Sequence, residues 1–164
     1  MKNRKGFTLV ELVVVIAIIG ILAAILVPSM MGYVRKSRLQ TANGNAKTAY
    51  NAAKTYIVEQ VSNGVSEDSL FGMSGKFNAG NVKARPSALN EGDQQVANAL
   101  LQNGDEAGYF CIFQHTKPAG DKMVVAHWRS ALTDKAIGQY PDAVDFDNWE
   151  DNYESFAMGA YIQP

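Results

Sequence analysis

The 164 residues carry 15 Lys/Arg against 16 Asp/Glu, a formal net charge of −1, and suit one domain plus an anchor, since domains cluster at about 100–150 residues. Cys111 is the single cysteine, which excludes an intrachain disulfide and a thiolate metal cluster. The near-neutral balance hides an asymmetry: residues 1–38 hold Lys2, Arg4, Lys5, Arg35, Lys36 and Arg38 against Glu11, while nine bases face fifteen acids in the remainder. Nothing in that remainder clusters Lys/Arg as a nucleic-acid surface would, and no specific nucleic-acid site is expected.

Residues 12–27 read LVVVIAIIGILAAILV, without a polar side chain, and uncharged sequence continues to Val34. That length crosses a hydrocarbon core of about 30 Å as a helix. A soluble core helix would show a polar face, and this run has none. Three bases precede the run and three follow it, so charge gives no orientation. An ordinary secretory signal peptide, with Lys2, Arg4 and Lys5 as its charged region and Ala23-Ala24 near a cleavage site, competes with a plain membrane anchor. Neither gives a purpose to Glu11, a carboxylate at the edge of the run, where burial in lipid costs free energy.

The stretch Lys5-Gly6-Phe7-Thr8-Leu9-Val10-Glu11-Leu12 resembles the processing motif of type IV prepilins and type II secretion pseudopilins. The resemblance is close over about residues 5–34 and is one of layout beyond that. It implies cleavage after Gly6 by a prepilin peptidase, N-methylation of Phe7, and a role for Glu11 and Phe7 in assembly. It also implies a chain held once in the cytoplasmic membrane among its lipids, then passed by an inner-membrane assembly platform into an extracellular filament. The Phe7 ammonium and a neighbour's Glu11 would neutralise each other in a dry filament core, where breaking such a pair costs about 3–5 kcal/mol.

Pro28 cannot donate to the carbonyl of Ala24, and with Gly20 and Gly32 nearby the helix is expected to kink or loosen over 20–32. The family suggests that Gly20 and Pro28 bound a segment that melts on packing. Beyond Arg38, Leu39, Ala42, Ala46, Ala49, Ala53 and Tyr56 recur at spacings of 3 and 4, an amphipathic helix with Asn63-Gly64 as its stop. With no other strong break, residues 8–62 are expected to form one helix of about 80 Å. Residues 64–92 are rich in Gly, Ser and Asn and read as a long surface connection with short structure; 93–102 reads as a short helix stopped by Asn103-Gly104.

Tyr109–Thr116 and 122–130 are apolar and β-branched around a Pro/Gly-containing link, a β-hairpin that, if tight and centred near Ala119, puts Cys111 opposite His127, with a slip of two residues as the alternative register. Residues 136–140 and 157–162 are the third and fourth strand candidates. The Cys–His pair reads as packing rather than as a nucleophile, and no phosphate loop, nucleophile elbow or zinc helix is present. The acidic stretch 142–151 offers Asp142, Asp145, Asp147 and Asn148 as a candidate Ca²⁺ ligand set, loosely similar to the calcium loop of major pseudopilins, against the plainer reading of a solvated face. No other cofactor is expected.

The whole reads as an α+β chain in which a long N-terminal helix packs on a small antiparallel sheet, the pilin fold. Its parts are a leader at 1–6, a transmembrane and filament-core helix at 7–34, and a headgroup at 35–164. The headgroup divides into an amphipathic helix (35–62), a connecting αβ-loop region (63–108), and the sheet with C-terminal loops (109–164). The expected function is structural and non-enzymatic: a subunit of a type IV pilus filament serving adhesion, motility or DNA uptake. A secretion pseudopilin carries the same motif, and a minor pilin acting as a tip binding module is the alternative of another class.

Overall fold

The computed structural model describes residues 6–71, 76–77, 82–83, 89–102, 108–152 and 156–163. The chain divides into two compact units, Met1–Lys36 and Ser37–Pro164. Helix α1, Leu9–Ser62, is continuous and contains Pro28. It ends where the sequence puts a stop. Gly64 takes φ +86°, its N–H donates to the Val61 carbonyl at 2.9 Å, and the Val65 N–H donates to the Gln60 carbonyl at 3.1 Å. This left-handed glycine cap satisfies carbonyls that the helix leaves open.

In the first unit no described residue of the apolar helix is buried. Val13, Val14 and Val15 are about half exposed, and Ile21 and Ile25 more so. The second unit is built the opposite way. Ala42, Ala46, Ala49 and Ala53 are at most 1% exposed and form one core with Phe110, Ile112, Val124, Ala126 and Trp128 of the sheet. The small side chains let the sheet come close, as the alanine spacing foretold. Closest is the crossing at Gly138, where a Cβ would strike the backbone of Ala42 and Asn43. Asn43 fastens the crossing: its Oδ1 accepts from the Gln139 N–H at 3.0 Å, and its Nδ2 donates to the Val144 carbonyl at 3.0 Å.

The sheet is antiparallel in the order β1 (Val82–Lys83), β2 (Tyr109–Thr116), β3 (Lys122–Arg129), β4 (Gly138–Tyr140). The β2–β3 register pairs Cys111 with His127, the tight-hairpin alternative of the two. Because side chains alternate across a strand, Phe110 and Ile112 face α1. Cys111, Phe113 and Val125 face the other way, into a second cluster with Met158 and Tyr161.

Three expectations change. Residues 157–162 are not a strand. Gly159, at φ +87°, turns the chain, and 156–163 lies over the sheet as a strap bonded to side chains; the fourth strand is the two-residue β1 at the opposite edge. The connection 64–92 is not wholly a surface loop. Leu70, closing a 3-10 turn (Glu67–Leu70), and Phe77 are both buried in the main core. The Phe77 ring meets Tyr56 edge-on at 5.7 Å because apolar side chains spaced along a polar loop still leave water. The short helix α2, Glu91–Gln102, starts two residues earlier than expected, since the Lys76 carbonyl accepts the N–H groups of Gly92 and Asp93 at 3.1 and 3.3 Å and satisfies its first turn. Its expected stop at Asn103-Gly104 lies outside the described residues.

Candidate processing and assembly segment

Gly6 and Phe7 precede α1, and Phe7 is 83% exposed. Thr8 caps the helix. Its N–H and its hydroxyl both donate to Glu11 Oε2, at 2.8 and 2.7 Å, and the Glu11 N–H donates back to Thr8 Oγ1 at 3.3 Å. This reciprocal arrangement is a capping box. Its signal, Thr followed three residues later by Glu before an apolar run, stands in the sequence, and reading Glu11 only as an assembly residue overlooked it. A capping box is useful to any helix, so Glu11 has local work as well. Among the described residues both Thr8 bonds fall on one oxygen, Oε2.

Further along, α1 remains helical through Gly20, Pro28 and Gly32. The Ser29 hydroxyl donates to the Leu26 carbonyl at 2.9 Å, beside the ladder bond that Pro28 omits. No Cβ contact within 4 Å surrounds Gly20 or Gly32. The helix is long and apolar enough to cross a membrane.

The acidic stretch takes a different local form from a cation-wrapping loop. Helix α3, Phe146–Asn152, begins inside it. Asp145 Oδ2 accepts the Asp147 N–H at 3.0 Å, as a helix cap does. Asp142 Oδ2 accepts the Tyr161 hydroxyl at 2.9 Å, and Asn148 Nδ2 donates to the Gln163 carbonyl at 2.5 Å. Among the described residues no three His, Cys, Asp or Glu side chains converge on one point.

Cys111 and His127 are both fully buried. Burial, with the field of Asp93 second, pushes the Cys111 thiol up to about 12. Burial lowers His127 to about 4 against the pull of its Gln139 bond. A protonated thiol beside a neutral imidazole is packing and not a nucleophile. Sequence reasoning missed Gln139. Its Oε1 meets His127 Nε2 at 2.9 Å and accepts the Ile162 N–H at 2.8 Å. Its Nε2 donates to the carbonyls of Asp142 and Ile162, each at 2.8 Å. Only period-2 alternation, which puts Gln139 on the face away from α1, hinted at this amide.

Residues 1–27 match the family model described as the prokaryotic N-terminal methylation motif. The chain is 45% identical over 58 residues to the type IV major pilin protein of Myxococcus xanthus, covering 35% of this chain and 26% of that one. It is 42% identical over 69 residues to the type IV major alpha-pilin of Moraxella bovis, covering 42% and 43%. It is 35% identical over 92 residues to the type IV major fimbrial protein of Dichelobacter nodosus, covering 56% and 55%. The chain thus spans about half or less of the length of these curated relatives. No solved structure matches it. The chain carries a prokaryotic N-terminal methylation motif and is similar to type IV pilins and fimbrial proteins.

Proposed function

We propose that the chain is the structural subunit of a type IV pilus filament. A prepilin peptidase cuts after Gly6, and Phe7 becomes the methylated N-terminus. Residues 7–34 hold the subunit once in the cytoplasmic membrane until an assembly platform passes it into a helical fibre outside the cell. The chain acts as a building block and not as a catalyst, in a fibre of the kind that serves adhesion, motility or DNA uptake. The observation that carries this reading is the position of Glu11: one carboxylate oxygen is held by Thr8 at the head of an apolar helical stretch in which no described residue is buried. The other oxygen suits the Phe7 ammonium of a neighbour, a pair that makes both charges tolerable away from water. The names of the relatives, major pilins and fimbrial proteins, support a place in the filament body.

The test is intact-mass analysis of filaments sheared from cells. Subunits of this chain beginning at a methylated Phe7 are the expected result. A mature start near residues 25–30 would mean an ordinary signal peptide and end the proposal.

A further inference from the structure

The strap 156–163 covers the sheet face opposite α1, yet no ladder bond ties it down among the described residues. Side chains do that work: the buried His127 and Gln139, beside the Tyr161–Asp142 and Asn148–Gln163 bonds and the packing of Ile162 against Ile137 and Trp149. The Gly159 N–H donates to His127 Nδ1 at 3.2 Å, which places the imidazole proton on Nε2, donating to Gln139 Oε1. Gln139 in turn holds Ile162 by both its N–H and its carbonyl. The neutral Nε2–H form of His127 is therefore the form that fits. All four hydrogen-bonding capacities of the Gln139 amide are used.

We propose that the strap 156–163 is an acid-released latch: protonation of His127 opens the strap while the sheet beneath it stays folded. An imidazolium has donors on both nitrogens, so Nδ1–H would face the Gly159 N–H, donor against donor, and a buried charge would stand without a counterion. The surroundings offer no relief. From β2 the titratable groups on this face are Cys111, opposite His127, and His115, stacked on Tyr161 at 4.2 Å. From β3 Arg129 lies two positions along on the same face, a cation that adds repulsion. After β4, Asp142 is engaged by Tyr161, and from α2 the field of Asp93 falls on Cys111. No carboxylate bonds either nitrogen of His127. Strap release removes Met158 and Tyr161 from the cluster that covers Cys111.

Cys111 is the single thiol of the chain, and it reports the opening. The full chain in detergent micelles is treated with a dipyridyl disulfide, which reacts with thiols in acid. Amide exchange of β2 and β3 is followed in parallel. The expected result is Cys111 labelling at least tenfold faster at pH 3.5 than at pH 6 while β2 and β3 keep their protection. His127→Gln, which retains a donor toward Gln139 but does not titrate, should change less than twofold over the same range. An equal acid response in His127→Gln overturns the proposal, because carboxylates such as Asp142 would then be responsible. Loss of β2–β3 protection at the same pH also overturns it, since the whole unit would be unfolding. Should His127→Gln fail to fold, ¹⁵N spectra of the uniformly labelled native chain, covering the His127 ring and the Gly159 and Ile162 amides, decide. Protonation of His127 with unchanged Gly159 and Ile162 amides refutes the latch, and a shared midpoint supports it.

Discussion

Replacing Glu11 separates two uses of one carboxylate. In the free subunit Glu11 accepts two bonds from Thr8, so Glu11→Val removes a helix cap, and it removes the same cap in the proposed filament. In the filament the same change leaves a neighbour's Phe7 ammonium unpaired among apolar side chains, at about 3–5 kcal/mol. Because the cap is lost in both states it cancels, and the unpaired ammonium, about 3–5 kcal/mol against assembly, lowers each addition step roughly a hundred-fold to several thousand-fold, since about 1.4 kcal/mol is a factor of ten. Two further variants isolate the cause. Glu11→Gln keeps an oxygen for Thr8 and loses the charge; Thr8→Ala loses the cap and keeps the charge. The yield of sheared filaments, set beside the membrane level of processed subunit, is the assay. Glu11→Val and Glu11→Gln should both lose filaments with cleavage after Gly6 intact, and Thr8→Ala should keep them. Normal filaments from Glu11→Val would refute charge pairing. Failure of Thr8→Ala with success of Glu11→Gln would assign the residue to helix capping alone.

Removing residues 1–34 should leave a soluble fragment with a cooperative melt, because the second unit closes its own core; aggregation without a transition would contradict this. In that fragment Gly138→Ala should cost about 1–3 kcal/mol in urea denaturation, since the new Cβ meets helix backbone that cannot step aside. Gly44→Ala, in open helix, should add about 0.5–1 kcal/mol. Stability should also fall in acid through His127. The unfolded chain takes up the proton near the ordinary value of 6.5, before the folded chain does near 4. The contribution is therefore complete above pH 6.5 and lost progressively toward pH 4, about 3 kcal/mol at about 1.4 per pH unit, and His127→Gln should flatten that slope. Asp145→Ala should cost about 1 kcal/mol as a lost cap whether or not millimolar Ca²⁺ is present. A melting temperature that rises with Ca²⁺, and no longer does when Asp145→Ala is combined with Asp147→Ala, would instead establish a cation site.

The parts of the fold that were readable in advance are those encoded by repetition. The alanine spacing indicated the buried face of α1, and the composition of Tyr109–Thr116 and 122–130 indicated the hairpin, while its Cys111–His127 register, open to a slip of two residues in the sequence, is settled by the turn between the strands. The parts that were not readable depend on single contacts between distant segments. Residues 157–162 have strand-like composition, but their hydrogen bonds go to Gln139 and His127, and no local pattern announces a side chain as the partner of a backbone. Phe77 sits in a loop of low apolar content and is nevertheless fully buried, because one ring beneath a polar loop leaves no period to detect. At the N-terminal segment the opposite held: the capping box was written in adjacent residues, and attention to the charge of Glu11 hid its hydrogen bonds.

The capping box also bears on where the chain is cut. Thr8 is the cap, so Gly6 and Phe7 lie just outside the helix, in backbone that a peptidase can hold extended. A cut two residues later would have to unwind the first turn. The new ammonium on Phe7 then stands beside the N-terminus of a helix, where the aligned peptide dipoles already present positive charge, an unfavourable place for a cation. A carboxylate three residues into the helix offsets it only in part, because Oε2 is held by Thr8. In the proposed filament a neighbour's Oε1 would complete the compensation. On the proposed reading, the same local geometry that starts α1 would leave an isolated processed subunit with a cation it cannot fully satisfy, together with an apolar helix that is exposed among the described residues. Both deficits would be removed together if a second copy came alongside, so the proposed drive toward a filament lies in what the single subunit leaves unsatisfied.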